Sequence, residues 1–318
     1  MLSRMAGLMQ RVSDPRSGLR REARTDVVFV RTRLQALIVR ELIKRGIVSR
    51  NYILVRLYWM RKDEDHASVN ALYDDLSARA ARTVEIFTGH GVASNVRRLL
   101  GIALPAVRTG GTLFSASLIF LPLSLVLLLL PGLRFRSLDD GRVNVLPGSS
   151  YFEPHAKQKP SLAGLVERLI SPAGPAAYLR SRSERHYTIY PGLENVVDQA
   201  RLEVISVDWG ALLRGEDLAS IPPDAGTILL GTVIEDMADP ERARAALHWA
   251  RERADLYITH PRESDTDALV GGTALHSPAE AVIHNLSRRR HITVYHFCSS
   301  AVIPFAENAS VTSIDLLD

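Results

Sequence analysis

The sequence predicts an α/β protein with two Rossmann-like domains, whose parallel sheets face each other across a cleft. Apolar runs alternate with helical patterns in both halves of the chain, and this alternation is typical of parallel sheets that helices cover on both faces. The 318 residues are enough for two domains. A stretch rich in proline, serine and glycine, at residues 142–200, separates the two alternations.

The first alternation begins with the strand DVVFVRT (26–32), the helical pattern RLQALIVRELIKRGI and the strand NYILVRLYW (51–59). The segment HASVNALYDDLSARAARTVEIF follows, and its pattern predicts one helix.

An uncharged apolar segment then extends from Arg108 to Arg134. Its length would suffice to span a bilayer. Pro122 interrupts it, however, and glycine and proline bracket it. We therefore interpret it as a β-α-β unit, made of the strand GTLFSASLIF, the short helix LPLSLVLLLL and the strand LRFRSLDDG. A true membrane span and an apolar helix that lies on the membrane surface are the alternatives.

The second alternation contains the strands ARLEVISV, GTILLGTVI, DLYITH, ITVYHFCSS and ASVTSIDLL, with the helices PERARAALHWARERA and SPAEAVIHNLSRRR among them. We therefore divide the chain into a basic N-terminal arm (1–24), an N-terminal Rossmann-like domain (25–150), a linker region (151–195) and a C-terminal Rossmann-like domain (196–318).

Composition and charge argue against several classes of protein. The net charge of +4 equals the excess of positive charge in the arm, which holds six arginines and two acidic residues. The rest of the chain is therefore balanced in charge, so no broad nucleic-acid-binding face is expected. The sequence has neither a GxGxxG motif nor a P-loop, which argues against dinucleotide and simple NTPase sites. Its single cysteine, Cys298, excludes an intramolecular disulfide and a cysteine-based zinc site, and fits a reducing compartment.

The N-terminal arm and the apolar segment bear on location. No signal-peptide pattern follows the arm, so we expect a cytoplasmic protein. The basic arm either touches an anionic membrane surface, which would make the protein peripheral at the inner membrane, or is a solvated tail.

Four polar clusters lie where predicted strands end or helices begin: LDDG, THPRE, SPAE and FCSSA. Ligands of parallel sheets bind outside the carboxyl ends of the strands, so these clusters are candidates for one site. Each has a structural alternative. An acidic pair before glycine is often a turn, paired serines often cap a helix, and SPAE reads as a capping box with Ser277 at the N-cap and Glu280 at N3.

Taken together, these motifs resemble those of the bacterial sialyltransferases of glycosyltransferase family 52, the lipooligosaccharide sialyltransferase group. That group and related bacterial sialyl- and polysialyltransferases share an acidic-acidic-glycine motif, a His-Pro motif and a Ser-Ser motif. The motifs appear here in the same order, as Asp139-Asp140-Gly141, His260-Pro261 and Ser299-Ser300. The segments VVFVRTRLQALI, ILLGTVIED and PAEAVI are also similar, so the resemblance covers roughly residues 26–318. Residues 118–130 are more apolar than the family pattern, and the arm is additional.

The resemblance implies a GT-B fold, with the acceptor on the N-terminal domain and CMP on the C-terminal domain. It implies a metal-independent, cofactor-free and inverting transfer from CMP-sialic acid to a hydroxyl of a terminal sugar, often galactose. The acceptor would be a lipid-linked bacterial surface glycan such as lipooligosaccharide. The other expected partners are a membrane surface and a second copy in a homodimer, whereas nucleic acid is not expected.

The resemblance also implies which residues hold the donor. The departing CMP phosphate gains negative charge, and a histidine can donate a proton or a charged hydrogen bond to it, so His260 is the expected general acid. Pro261 would fix the backbone beside it. Ser299 and Ser300 would offer hydroxyl and N–H groups to the same phosphate in place of a cation. Glu280 would accept hydrogen bonds from the ribose hydroxyls.

The acceptor hydroxyl needs a general base on the opposite face of the sugar. Asp139 is the first choice, Asp140 either holds it or replaces it, and Gly141 allows the sharp turn after them. Asp236, at the end of the strand GTILLGTVI, is the alternative base.

Two other functions stay open at this point. The chain could be a non-catalytic, membrane-associated protein of envelope biosynthesis, anchored by the run near residue 120. It could also be a two-domain transferase that uses another nucleotide sugar.

Overall fold

The protein contains two parallel sheets, as the sequence predicts. In this computed structural model, the described residues are 23–58, 66–141, 143–146, 149, 151–152, 174–213, 215–260, 273–275 and 277–317. Within them, one sheet has seven strands and the other has five, and every strand pair is parallel.

The seven-stranded sheet has the order β3-β2-β1-β4-β5-β6-β7. Its strands are β1 Asp26–Val30, β2 Tyr52–Tyr58, β3 Arg82–Phe87, β4 Thr112–Ser115, β5 Arg134–Leu138, β6 His186–Thr188 and β7 Leu202–Val204. The central strand β1 is buried along its whole length, which explains why its sequence is continuously apolar after Asp26.

Helices connect these strands, because parallel neighbours need crossover connections. They are α1 Arg33–Lys44, α2 His66–Arg79, α3 Val92–Thr109, α4 Leu121–Leu129 and α5 Gly174–Arg182. The order of the strands reverses after β3, so β1 and β4 are neighbours at the centre of the sheet. Such a switch point is where doubly wound sheets bind their ligands.

The uncharged apolar segment forms the predicted β-α-β unit. Strand β4 is followed by α4, which has Pro122 in its first turn, and then by β5. The nine residues of α4 extend roughly 14 Å, about half of a hydrocarbon core. In the described part of the chain, no helix combines the length and the apolar character that crossing a membrane requires.

The five-stranded sheet has the order β10-β9-β8-β11-β12. Its strands are β8 Thr227–Leu230, β9 Leu256–Ile258, β10 Thr273–Leu275, β11 Ile292–His296 and β12 Val311–Asp315. Three helices accompany them in the described residues: α6 Gly215–Ser220, α7 Pro240–Arg251 and α8 Ala279–Ser287.

Several elements differ from the sequence-based expectation, and three of them show why. The segment predicted as one helix divides into α2 and β3, because β-branched Thr83, Val84 and Ile86 favour a strand after the helix ends. Helix α3 was not predicted, since Gly101 and Pro105 interrupt its pattern. Strand β10 is too short to give a periodic signal.

The strand pairing also bears on the domain limits. Helix α5 and strand β6 lie in the segment predicted as a linker, and β7 lies in the segment predicted as the second domain. Yet β6 pairs with β5, and β7 pairs with β6, so all three elements belong to the first sheet. We propose that the first domain extends through β7 and that the boundary lies between β7 and β8.

The two halves meet around a short 3-10 turn, Trp209–Leu212, which contacts both α1 and α8. The Trp209 ring lies 6.3 Å from the ring of Phe305, centroid to centroid. Next to it, Arg40 of α1 forms an ion pair with Asp208 at 3.3 Å. One buried apolar cluster contains side chains from both sheets and from α1 and α8.

Candidate functional site

The first part of the candidate site lies just after β5, where the acidic pair ends the strand. Asp139 is fully buried. Its Oδ1 lies 2.9 Å from His186 Nε2, and its Oδ2 accepts from the Thr188 hydroxyl at 2.8 Å and from the Ile189 N–H at 2.7 Å. All three partners belong to β6 or follow it directly, so this carboxylate joins the ends of β5 and β6.

Asp140 points the other way, toward α1, and is partly exposed. Gln35 Nε2 donates to its Oδ1 at 2.5 Å, and the Tyr151 hydroxyl donates to its Oδ2 at 2.6 Å. Burial raises the pKa of Asp140, although the hydrogen bond from Tyr151 and the charge of Arg31 act in the opposite direction. Of the two acidic side chains, Asp140 therefore has the exposure and the raised pKa that suit a general base.

The turn after the acidic pair has the conformation that glycine favours. Gly141 has φ +79°, in the left-handed region. The Asp140 N–H donates to Asn144 Oδ1 at 2.6 Å, which closes the turn.

The first turn of α1 faces Asp140 and was not identified as part of the site from sequence. Thr32 caps the helix and accepts from the Gln35 N–H at 3.3 Å. The Gln35 side chain is buried, and its Oε1 accepts from the Arg31 N–H at 2.7 Å, so its amide group is fixed with Nε2 toward Asp140. The Thr-x-x-Gln spacing is a capping-box signal that sequence inspection could have found.

Glu280 lies in the first turn of α8, on the other half of the molecule. It is partly exposed, and burial raises the pKa of its carboxyl, while its own N–H and the charge of Arg33 lower it. The helix begins one residue later than expected, with Pro278 at the N-cap and no side-chain cap, so Ser277 does not form the predicted capping box. Arg33 is the first residue of α1, so the turn that holds Asp140 also carries the charge that lowers the pKa of Glu280 on the other half.

His260 follows β9 after one residue and is partly buried. Pro261, Arg262 and Glu263 lie outside the described residues. Upstream of His260, the Thr259 N–H donates to the Leu275 carbonyl at 3.1 Å, so β9 remains paired with β10 up to the histidine.

The serine pair follows β11. The Ser299 N–H donates to His296 Nδ1 at 3.2 Å, and its hydroxyl accepts from the Ala301 N–H at 3.3 Å, so Ser299 caps the 3-10 segment Ser300–Phe305. In the part of the chain that the structure describes, the Ser300 side chain, which is partly exposed, has no hydrogen-bond partner. Strands β9 and β11 flank β8, so the ends that carry His260 and the serines are roughly 10 Å apart.

Asp236 ends the 3-10 turn Ile234–Asp236 that follows β8. This places its backbone between the ends of β9 and β11. Its side chain lies outside the description.

The site residues therefore lie at the carboxyl edges of both sheets, and the first turn of α1 connects the two edges. Asp139 is brought close to them but faces β6 and not the surface. Among the described residues, no three histidine, cysteine or acidic side chains are grouped so that they could hold a metal ion.

The chain is similar to two curated bacterial sialyltransferases. It is 25% identical over 221 residues to an N-acetyllactosaminide alpha-2,3-sialyltransferase of Neisseria meningitidis, a match that covers 67% of this chain and 56% of the relative. It is 27% identical over 169 residues to a CMP-N-acetylneuraminate:beta-galactoside alpha-2,3-sialyltransferase of Pasteurella multocida, covering 52% of this chain and 51% of the relative. The chain thus spans about half the length of the curated relatives it matches. No family model matches it.

Among solved structures, the fold is similar to that of UDP-GlcNAc 2-epimerase from Neisseria meningitidis bound to UDP-GlcNAc. The TM-score is 0.51 at 9% identity, and the match covers 88% of this chain and 78% of the other. At this identity the likeness concerns the fold alone, and it confirms the predicted GT-B type architecture. The resemblance to bacterial sialyltransferases that the motifs indicated is confirmed by the two curated relatives.

Proposed function

We propose that this protein is an inverting, metal-independent sialyltransferase that moves sialic acid from CMP-sialic acid to a terminal galactose hydroxyl. The observation that carries the proposal is the first turn of α1, where Gln35 contacts Asp140 and Arg33 acts on Glu280. One structural element thus joins a candidate base on the first half to a candidate ribose ligand on the second. The names of both curated relatives give alpha-2,3 sialyl transfer, and that of the Pasteurella multocida relative also names a CMP-N-acetylneuraminate donor and a beta-galactoside acceptor, which supports the proposal.

The chemistry at the acceptor is a proton transfer coupled to bond formation. Asp140 takes the proton of the acceptor hydroxyl, whose oxygen then bonds to the anomeric carbon of sialic acid. The bond from that carbon to the phosphate oxygen breaks on the opposite face, which inverts the configuration. Burial, which raises the pKa of Asp140, makes this carboxylate a stronger base than an ordinary aspartate.

The chemistry at the donor is stabilisation of a leaving phosphate. His260 donates a proton or a charged hydrogen bond to the oxygen that leaves with CMP. Ser300 has a hydroxyl available for the same phosphate, while Ser299 shapes the turn that presents it. Pro261 would restrict the backbone after His260. Hydrogen-bond donors that are already oriented can stabilise this charge without a metal or another cofactor.

We prefer Asp140 to Asp139 as the base. Both carboxylates accept hydrogen bonds at their two oxygens, but Asp139 is fully buried whereas Asp140 is partly exposed. Asp236 stays the alternative. Gly141 contributes through the sharp turn after the acidic pair, which its left-handed backbone conformation allows.

We further propose that the acceptor is a lipid-linked bacterial surface glycan such as lipooligosaccharide, and that the protein acts in the cytoplasm at the inner membrane. The basic arm at residues 1–24, which lies outside the described residues, is the candidate membrane contact. A homodimer is compatible with this function.

Product analysis after incubation with CMP-sialic acid and a panel of lactose-type acceptors tests the function. We expect a sialylated lactoside, and we expect CMP but not UDP to raise the melting temperature of the protein, because a ligand that binds only the native state stabilises it. Stabilisation by UDP alone would favour a transferase for another nucleotide sugar. An absence of any nucleotide effect and of any product would favour the non-catalytic alternative.

The Glu280→Gln substitution tests the ribose contact. We expect CMP affinity to fall about tenfold, because a carboxylate accepts stronger hydrogen bonds from two hydroxyls than an amide oxygen does. In the wild type, affinity should increase as pH rises through the raised pKa of Glu280, since only the ionised carboxylate accepts both bonds. Both effects are measured by titration calorimetry from pH 5 to 8.

Glu241→Gln is the matched control, because Glu241 also occupies the first turn of a helix but lies on the surface of α7. Equal loss of affinity in both variants would remove Glu280 from the binding site.

A further inference from the structure

Helices α3, α4 and α5 cover the face of the first sheet that is turned away from the second half. Strand β1 shows the two faces, because successive side chains of a strand point in opposite directions. Val28 and Val30 pack in the buried cluster that contains α1 and side chains of the second sheet. Val27 and Phe29 pack in the cluster that contains α3, α4 and α5. The outer surface of these three helices is therefore independent of the site proposed above.

The helices on this face carry positive charge without acidic residues. Residues 86–138 contain five arginines and no aspartate or glutamate, and α5 has two more arginines and no acidic residue. Arg97, Arg98 and Arg108 lie exposed along α3. Within the described ranges, none of these three forms an ion pair or a hydrogen bond through its side chain. The surface is therefore complementary to an anionic partner.

The same surface exposes leucines toward the ends of the helices. Leu104 of α3 is 39% exposed, and Leu128 and Leu129 at the end of α4 are 50% and 58% exposed. The two helices pack against each other, and both run back from the carboxyl edge of the parallel sheet to its amino edge, so these side chains lie toward one edge. Pro131 and Gly132, which follow α4, are exposed as well. Neighbouring exposed leucines of this kind indicate a contact site for an apolar partner.

The basic arm joins the folded chain at the same edge. The Thr25 N–H donates to the hydroxyl of Thr109, the last residue of α3, at 2.9 Å. The arm at residues 1–24, with six arginines and two acidic residues, is therefore attached beside the C-terminal end of α3. The arm, the arginines of α3 and the exposed leucines thus converge on one side of the molecule.

We propose that the outer surface of α3 and α4, together with the turn at residues 130–132, docks on an anionic lipid bilayer. The leucines enter the boundary between headgroups and acyl chains, and the arginines of α3 donate hydrogen bonds to lipid phosphates. A bilayer offers apolar chains and anionic headgroups together, and α3 and α4 contain no acidic side chain that the headgroups would repel. This inference rests on the proposed function for the location at a membrane, and it names the folded surface that faces that membrane.

Docking through this surface directs the second half away from the bilayer, because the second half meets α1 on the opposite face of the first sheet. Nucleotide exchange at the carboxyl edges of the sheets then requires no release from the membrane.

Sedimentation of the full chain with vesicles tests the proposal. We expect phosphatidylglycerol vesicles to bind at least about tenfold more tightly than phosphatidylcholine vesicles, and added salt to weaken the binding. Leu128→Gln/Leu129→Gln should weaken binding to phosphatidylglycerol vesicles about tenfold or more, because two half-exposed leucines no longer enter the bilayer. Arg97→Gln/Arg98→Gln should weaken it by a similar factor. Both variants should keep the melting temperature of the wild type, since the substituted side chains are exposed.

Each variant has a matched control. Val204→Gln/Leu218→Gln removes two apolar side chains of β7 and α6 that are 52% and 41% exposed. Arg288→Gln/Arg289→Gln removes the same charge as the arginine variant, from two exposed residues at the C-terminal end of α8. We expect both controls to bind vesicles within about twofold of the wild type, because their side chains lie beyond the reach of the headgroups. Turnover of lactose should be unchanged in all four variants.

Three outcomes overturn the proposal. If both surface variants bind vesicles as the wild type does, the arm alone holds the membrane. If a control loses as much affinity as its surface variant, the effect is one of net charge or of general hydrophobicity. If Leu128→Gln/Leu129→Gln lowers the mass measured by light scattering and leaves vesicle affinity unchanged, the surface is an interface between copies of the chain.

The proposed function fails separately from the docking surface. Vesicle binding that depends on the leucines and arginines, without sialyl transfer to lactose, would refute the function and keep the surface. Sialyl transfer by a wild type that does not bind phosphatidylglycerol vesicles would do the reverse.

Discussion

The Asp140→Asn variant is expected to lose about two to four orders of magnitude in turnover, the usual contribution of general acid–base catalysis. Asparagine has the same shape, and its Oδ1 can still accept from Gln35, but it cannot take a proton from the acceptor. Because the pKa of Asp140 is raised by burial, the wild-type rate should decline on the acid side at a higher pH than an ordinary aspartate would give. The measurement is the pH profile of transfer from CMP-sialic acid to lactose.

CMP affinity, measured in parallel, should be unchanged, because Asp140 contacts the acceptor side. Asp224→Asn, at an exposed aspartate far along the chain, is the control for the chemical change. If Asp140→Asn transfers at the wild-type rate and Asp236→Asn does not, then the base is Asp236.

The raised pKa of Asp140 also makes the stability of the folded protein depend on pH. A carboxyl whose pKa is raised in the folded state is penalised when it ionises there. The contribution of Asp140 is therefore fully favourable below its unfolded-state pKa and is lost as pH rises through its folded-state pKa. Stability and activity consequently depend on the ionisation of Asp140 in opposite directions.

The second large effect is expected at the neighbouring residue, and on stability. Asp139→Ala leaves His186, the Thr188 hydroxyl and the Ile189 N–H without their acceptor in a fully buried position. Breaking a buried charged network by removing one partner costs about 3–5 kcal/mol. We expect a loss of that size in the free energy of unfolding, measured by urea denaturation.

Asp140→Asn serves as the comparison in the same denaturation series, and its loss should be smaller, about 1–3 kcal/mol, since Gln35 keeps its acceptor and only the Tyr151 hydroxyl loses one. The two adjacent acidic residues would then have different measured effects: substitution of Asp139 would mainly lower stability, and substitution of Asp140 would mainly lower turnover. A stable Asp139→Ala variant without transfer activity would instead return the role of base to Asp139.

The fold was predictable because its signals are local. Continuous apolar strands such as Asp26–Val30 indicate parallel sheets, and Pro122 in the first turn of α4 separates a short helix from a membrane span. The limits of the domains were not predictable in the same way. His186–Thr188 is only three residues long, and its place beside β5 depends on pairing with a strand about fifty residues earlier.

The candidate site was predictable from motifs only in part. The acidic pair has one sequence signal, yet its two carboxylates face opposite directions, because successive residues of an extended chain alternate between faces. Which of them is buried depends on His186, whose partner the sequence does not indicate. Gln35 and Arg33 belong to the site through helix geometry, and the one sequence signal that could have pointed to that turn is the unused Thr32-x-x-Gln35 capping pattern.

The first turn of α1 couples the two carboxylates that the proposed reaction uses. Gln35 donates to Asp140, and two residues earlier the charge of Arg33 lowers the pKa of Glu280. A displacement of this one turn would therefore disturb the orientation of the base and the ionisation of the ribose ligand together, so the acceptor side and the donor side cannot be tuned independently.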